Sequence, residues 1–232
     1  MRQLWLPGAT KINGPHSQGG TMAGGEGLCT HHITVTPTGS YGATREFLLK
    51  MGYEPTLILD PTTGERGQFL PANRSAYALE HPSGQPETNR QGSVHVQIEW
   101  LWPSMAKDIT KAPKFAELWA DLIPWLEQLG VPSLWTFGSP LNASRDPKLW
   151  VKGGHRGHRN APANSHDDSL PCKTPPPWHQ LKPKPKAQPL GPATRLLARS
   201  LTKRLKGRAR PVSVPNELDA LDTQIHRVKG LK

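Results

Sequence analysis

The positive charge of this 232-residue chain is confined to its C-terminal quarter, which limits where a folded domain can lie. Residues 1–172 contain 15 Lys and Arg against 15 Asp and Glu, whereas residues 173–232 contain 14 against 3. The boundary is also marked by TPPPWHQLKPKPKAQP, a segment whose prolines favour an extended, semi-rigid chain. We therefore expect a neutral folded domain over residues 1–178, a Pro/Lys-rich linker over 179–193 and a basic helical tail over 194–232.

The basic tail has the pattern of a surface-binding appendage. Leu197, Leu201 and Leu205 recur four residues apart among Lys and Arg, which predicts a basic amphipathic helix, and Asn216 can cap a second helix. A basic extension on a neutral domain indicates a polyanionic partner, and we favour anionic wall polymers or a membrane surface. Nucleic acid is disfavoured, because single-strand binders interleave aromatic side chains and Trp178 is the only one in this region.

Hydrophobic patterns in the neutral part alternate between strands and helices. The predicted strands are Thr30–Thr36, Thr56–Leu59, Ser93–Trp102 and Ser133–Phe137, with Gly67–Leu70 pairing back as a hairpin. The predicted helices are Ala43–Met51 and Lys114–Leu129. Pro124 is expected to kink or divide the second helix, and residues 1–27 are expected to be irregular. The order of elements predicts an α/β fold with a mixed central β-sheet flanked by helices.

Residues 157–168 (GHRNAPANSHDD) concentrate side chains that bind metals or move protons. His158, His166 and Asp168 lie within this segment, and Pro162 indicates a loop. Neutral imidazole and carboxylate are zinc ligands, and a catalytic zinc ion needs three protein ligands. The segment therefore predicts a metal hydrolase whose missing ligand is a histidine on a distant strand.

Two predicted strands supply the other candidates. His31 and His32 are adjacent in the first strand, and because side chains alternate along a strand, only one can face the metal. Glu99 lies on the polar face of the third strand and is a candidate general base. His95 shares that face and could line the cleft, whereas His155 is expected at the surface as a bystander.

Four segments carry a family resemblance. They are Trp5-Leu-Pro-Gly8, Thr30-His-His-Ile-Thr34, Glu87-Thr-Asn-Arg90 with Gln97-Ile-Glu99, and Gly157-His158 followed by His166 and Asp168. In this order they resemble the zinc-dependent N-acetylmuramoyl-L-alanine amidases, a family that includes peptidoglycan recognition proteins and phage endolysin amidase domains. The resemblance covers roughly residues 4–172. It implies a peptidoglycan hydrolase that cleaves the amide between N-acetylmuramic acid and the L-alanine of the stem peptide; the alternative is a non-catalytic peptidoglycan-binding protein of the same fold.

The resemblance also implies roles for individual residues. His32 or His31, His158 and Asp168 would bind Zn²⁺. His166 would stabilise the oxyanion of the tetrahedral intermediate, and Glu99 would be the general base.

The sequence leaves two ligand positions open. In the family the third ligand is usually the Asp of an Asp-Pro-Gly sequence, whereas here a serine follows Asp168. Asp167 or Cys172 could therefore take the role, since some members of the family use a cysteine. His32 begins the His-Ile-Thr match to endolysins and is slightly favoured, while His31 fits the broader family.

The N-terminus lacks the apolar core of a signal peptide, and no run of residues reaches the length of a membrane span. The resemblance to endolysins then implies synthesis in the host cytoplasm and action on the bacterial cell wall after release.

Overall fold

A mixed six-stranded β-sheet forms the centre of the computed structural model, which describes residues 2–13, 20–35, 40–81, 83–84 and 87–178. The strands are β1 (Thr10–Lys11), β2 (Leu28–Ile33), β3 (Leu57–Leu59), β4 (Arg66–Gln68), β5 (His95–Trp100) and β6 (Gly154–Gly157). The helices are α1 (Tyr41–Met51), α2 (Phe115–Leu129) and the short α3 (Pro147–Trp150). The predicted α/β fold with a mixed sheet flanked by helices is confirmed. The predicted linker (179–193) and tail (194–232) lie outside the described residues.

The sheet order is β1-β4-β3-β5-β2-β6, and every neighbouring pair is parallel except the β3–β4 hairpin. β2 lies between β5 and β6, and all six of its residues are buried. Because β2, β5 and β6 are parallel, their carboxyl ends meet at one edge of the sheet, where ligands bind in open α/β sheets. In the β2–β5 register His32 lies opposite Glu99, so these two side chains share a face of the sheet.

Helix α2 covers the other face of the sheet. Its buried residues recur at helical spacing and pack on the apolar side chains of β2, β3 and β5. The helix ends at Gly130, whose φ of 90° is the left-handed conformation that glycine adopts readily. Pro124 lies within one continuous helix, so the predicted division does not occur. The residue faces solvent, where its ring displaces no packed neighbour.

Helix α1 lies on the same face as His32 and covers only the β3–β4 side of it. Leu48 packs in a cluster with Ile58 and Phe69, and the helix ends at Gly52 with a φ of 70°. Helix α1 therefore does not cover the part of this face that β5, β2 and β6 form, where the polar side chains of His32 and Glu99 lie. None of the described helices has the length and apolar character needed to cross a bilayer.

The prediction of the last strand is wrong, because a different segment forms it. Ser133–Phe137 contributes only an isolated bridge between Trp135 and His155, whereas β6 is formed by Gly-His-Arg-Gly. This segment lacks β-branched residues, so its strand character comes from pairing with β2 rather than from propensity. The lead-in is also less irregular than predicted, because the two residues of β1 pair with β4.

Candidate metal centre

Three candidate ligands converge at the carboxyl edge of the sheet. His32 is the penultimate residue of β2, and His158 directly follows β6. Asp168 lies at the end of the loop that begins at His158. The Nδ1 atoms of His32 and His158 are 2.9 Å apart, and the Nδ1 atom of His158 is 3.0 Å from Oδ1 of Asp168. Oδ2 of Asp168 is 4.0 Å from Nδ1 of His32. One ligand atom from each of the three residues lies within 4.8 Å of the other two, close enough for the three residues to share one cation.

The chemistry of this ligand set fits zinc. Two Nδ1 atoms at hydrogen-bond distance can hold at most one proton between them, and a cation satisfies both lone pairs at once. The Nε2 atoms of His32 and His158 are buried with no hydrogen-bond partner among the described residues, so nothing prevents them from carrying the ring protons. Burial, and then the neighbouring His158, lower the pKa of His32 well below its usual value, which keeps the imidazole neutral as a ligand must be.

Asp168 is held in its charged form. Burial alone would raise its pKa, but the contacts of Asp168 with His158, then His32 and the backbone N–H of Ile33, together outweigh burial and bring the pKa to about 2. The backbone N–H of Ile33 also donates to Oδ2 of Asp168, at 3.1 Å. A carboxylate ionised at neutral pH completes a His, His, Asp set, and a catalytic zinc ion with three protein ligands leaves its fourth position to water or substrate.

We call residues 158–168 the ligand loop; close packing fixes both of its ends. Gly157 lies against Ser169, where any side chain at residue 157 would overlap the serine. The N–H of Arg159 donates to the carbonyl of Asp168 at 2.9 Å, which ties the beginning of the loop to its end. The Ser169 hydroxyl donates to the carbonyl of Pro140 at 2.6 Å. The serine that departs from the family pattern therefore has a structural role here.

Glu99 lies on the same face of the sheet as His32, one strand away, and is partly exposed. Burial, and then the negative charge of Asp168, raise the pKa of Glu99 well above its usual value. A carboxyl group with a raised pKa is a stronger base when it is ionised, and a larger fraction of it is protonated near neutral pH and available as a general acid.

His166 lies over the candidate centre. Its ring stacks on that of His158 with centroids 4.7 Å apart and an interplanar angle of 10°, and its Nδ1 is 3.9 Å from Oδ1 of Asp168. The side chain is 57% exposed, so it can reach a bound molecule. Its other ring nitrogen, Nε2, is 4.0 Å from Oε1 of Glu80.

The competing third ligands lie elsewhere. Asp167 points to solvent, with 75% of its side chain exposed, and pairs with Arg145 at 2.9 Å. Cys172 is buried in the apolar cluster beneath α2, and burial raises the pKa of its thiol to about 12. The structure brings only Asp168 of these three residues to the two histidines.

His31, the alternative first ligand, faces the opposite side of the sheet. It lies with Cys29 and His155, its Nε2 being 3.6 Å from the Cys29 Sγ and 3.0 Å from the His155 Nδ1. These three residues could also hold a metal on distance alone.

Hydrogen bonding argues against a metal at this second cluster. The indole N–H of Trp100 can only donate, and it donates to Nδ1 of His31 at 3.1 Å. Burial, and then the neighbouring His155, lower the pKa of His31 well below its usual value, so the ring is neutral and carries its single proton on Nε2. That proton points at His155, so the Nε2 atom of His31 has no free lone pair with which to bind a metal ion in this cluster. The cluster is therefore a hydrogen-bonded chain from Trp100 through His31 to His155.

Two other histidines are buried, contrary to expectation. His155 was expected at the surface, but as part of β6 it is 1% exposed and packs against aromatic rings. His95 does share the face of Glu99, yet it is fully buried and bonds to the Thr30 hydroxyl at 2.7 Å rather than lining an open cleft. Sequence reasoning missed Arg145 and Glu80, which contact the ligand loop, because no pattern distinguishes them from other exposed charges.

No protein-family description and no curated protein matches this sequence. Solved structures of similar fold include the Staphylococcus aureus hydrolase AmiA in complex with its ligand, with a TM-score of 0.44 and 10% identity over 67% of this chain and 67% of that one. The endolysin N-acetylmuramoyl-L-alanine amidase LysCS of Clostridium intestinale has a TM-score of 0.38 and 10% identity, over 72% of this chain and 91% of that one. An AmpD derivative has a TM-score of 0.41 and 12% identity, over 69% and 87%. At these identities the likeness concerns the fold alone.

Proposed function

We propose that this protein is a zinc-dependent N-acetylmuramoyl-L-alanine amidase, an endolysin that hydrolyses the bond between N-acetylmuramic acid and the first L-alanine of the stem peptide. The observation that carries the proposal is the convergence of His32, His158 and Asp168 at one edge of the sheet, with Glu99 on the neighbouring strand. A metal site with three protein ligands, a carboxyl group of raised pKa and an exposed histidine supplies the groups that amide hydrolysis requires.

The three ligands would hold Zn²⁺, and when bound this ion would supply Lewis acidity to the attacked carbonyl and acidify a nearby water molecule. Glu99 would accept the proton of the attacking water and pass it to the leaving amine of L-alanine. His166 is exposed beside His158 and would donate a hydrogen bond to the oxyanion that develops on the carbonyl oxygen.

The test is incubation of the zinc-loaded protein with purified peptidoglycan, followed by labelling of new amino termini. We expect free L-alanine amino termini to appear, to vanish with a chelator and to return with zinc. The Asp168→Ala variant is the matched negative control. Binding to peptidoglycan without any new amino termini would instead support the non-catalytic, peptidoglycan-binding alternative.

We also propose that the basic residues of the tail hold the enzyme on an anionic wall polymer or membrane surface after release from the host cytoplasm. The support is the sequence alone, which places 14 Lys and Arg against 3 Asp and Glu in residues 173–232. Deleting residues 179–232 should leave cleavage of purified peptidoglycan intact and weaken lysis of whole cells at low salt. Loss of cleavage on purified peptidoglycan would contradict this division of roles.

A further inference from the structure

We propose that Arg145 is a positioning residue that fixes the spacing of the zinc ligands by clamping both ends of the ligand loop. This inference rests on the proposed function, since it assigns Arg145 a part in metal binding. Arg145 lies outside the loop. It directly precedes Asp146, the residue that caps the N-terminus of α3.

The guanidinium group of Arg145 reaches both ends of the loop at once. Its Nε donates to the carbonyl of Arg159 at 3.0 Å. One terminal nitrogen donates to the carbonyl of His166 at 3.2 Å and to Oδ1 of Asp167 at 2.9 Å. Arg159 directly follows the ligand His158, and Asp167 directly precedes the ligand Asp168. Arg145 thus contacts the chain neighbours of two ligands that come from opposite ends of the loop.

The segment that carries Arg145 is itself bonded to the ligand loop. The side-chain amide of Asn160 donates to the carbonyls of Asn142 and Ser144, at 2.7 and 2.8 Å. The guanidinium of Arg159 donates to the carbonyl of Leu141 at 3.1 Å. Residues 140–145 are therefore held against the ligand loop by hydrogen bonds. Arg145 acts from this fixed segment and can hold the loop in place.

Only an arginine has the geometry for these three bonds. Its planar group presents several N–H donors in fixed directions, whereas the ammonium group of lysine is a single point of charge. A lysine at residue 145 can reach one end of the loop but cannot bridge Arg159 and Asp167. Partners outside the ligand shell that orient ligands in this way commonly change metal affinity or activity by about 10- to 100-fold when they are removed.

The experiment compares the zinc affinity of the full-length protein with that of Arg145→Ala, Arg145→Lys and Asp167→Asn, by competition with a chelator. Arg45→Ala is the matched control, because the side chain of Arg45 is 37% exposed against 38% for Arg145, and it pairs with Glu46 on α1. We expect Arg145→Ala to bind zinc about tenfold more weakly or worse, with an unchanged urea midpoint of the metal-free protein and with kcat lowered more than KM is raised. Arg145→Lys should recover little, and Asp167→Asn should lose little because two carbonyl bonds remain.

A second measurement keeps this proposal separate from the proposed function. Hydrogen exchange of the Arg159 amide, which bonds to the carbonyl of Asp168, is followed in metal-free protein. We expect at least about tenfold faster exchange in Arg145→Ala than in Arg45→Ala. Zinc affinity of Arg145→Ala equal to that of the wild type would overturn the positioning role. If the wild type binds no zinc, the proposed function fails. In that case an unchanged exchange rate of the Arg159 amide in Arg145→Ala would also overturn the proposal that Arg145 holds the ligand loop in place.

Discussion

At the scale of single residues, the site depends on which side of a strand each histidine faces. His31 and His32 are chemically identical neighbours, yet one lies among tryptophan rings and the other at the polar edge of the sheet. Alternation of side chains predicted that only one could be a ligand, but alternation alone does not say which one. The choice depends on which face of β2 is covered by α2, and that is a property of the fold.

The two histidines should therefore respond differently to substitution. His32→Ala should bind no zinc. His31→Ala should keep one zinc ion per chain but lose about 1–3 kcal/mol of stability, because Trp100 and His155 are left without a hydrogen-bond partner. Zinc content and urea denaturation measure the two effects, and loss of zinc in His31→Ala alone would reverse the assignment.

Glu99 should affect turnover without affecting metal binding. Glu99→Gln removes the proton acceptor but keeps the size of the side chain, so kcat should fall about 10²- to 10⁴-fold while zinc content stays the same. Glu65→Gln, an exposed change beyond β3, serves as the control. A Glu99→Gln variant as active as the wild type would place the general base elsewhere.

At the scale of elements, the site depends on how closely β6 approaches the end of the ligand loop. Gly157→Ala would place a methyl group against the side chain of Ser169 and 3.2 Å from its Cα, so the chain next to Asp168 must move. We expect weaker zinc binding and lower activity. Gly42→Ala is the control, since that helical position is open and alanine favours helix by about 0.5–1 kcal/mol. Equal zinc affinity in the two variants would contradict the account of the loop.

The sequence predicted the elements whose patterns are strong and missed the one whose pattern is weak. β2, β5, α1 and α2 follow from apolar periodicity and from glycine at the helix ends. β6 has two glycines among its four residues, and it is a strand only because it pairs with β2. For the same reason the burial of His155 could not be predicted. The candidate ligands were recognisable from residue type and spacing, whereas contacts such as those of Arg145 exist only in the folded chain.

At the scale of the whole molecule, buried neutral histidines make stability depend on pH. Burial, and then the charge of Arg156, lower the pKa values of His95 and His155 from 6.5 to about 3. Below pH 6.5 the unfolded chain takes up protons that the folded chain does not, so stability falls as the pH drops from 6.5 towards 3. The loss approaches about 1.4 kcal/mol per pH unit for each histidine.

Urea denaturation between pH 7 and pH 4.5 measures this dependence. His95→Gln should lower stability at pH 7 but reduce the slope by about one proton, because its side chain no longer titrates. A slope equal to that of the wild type would show that His95 is accessible to protons in the folded state.

The proposed function requires one zinc ion held by His32, His158 and Asp168. The most direct test is the zinc content per chain of the purified protein, compared with that of Asp168→Ala and Cys29→Ser. We predict one zinc ion in the wild type and in Cys29→Ser, and none in Asp168→Ala. Zinc that survives Asp168→Ala, or that is lost with Cys29→Ser, would contradict the account and place the metal on the other face of the sheet.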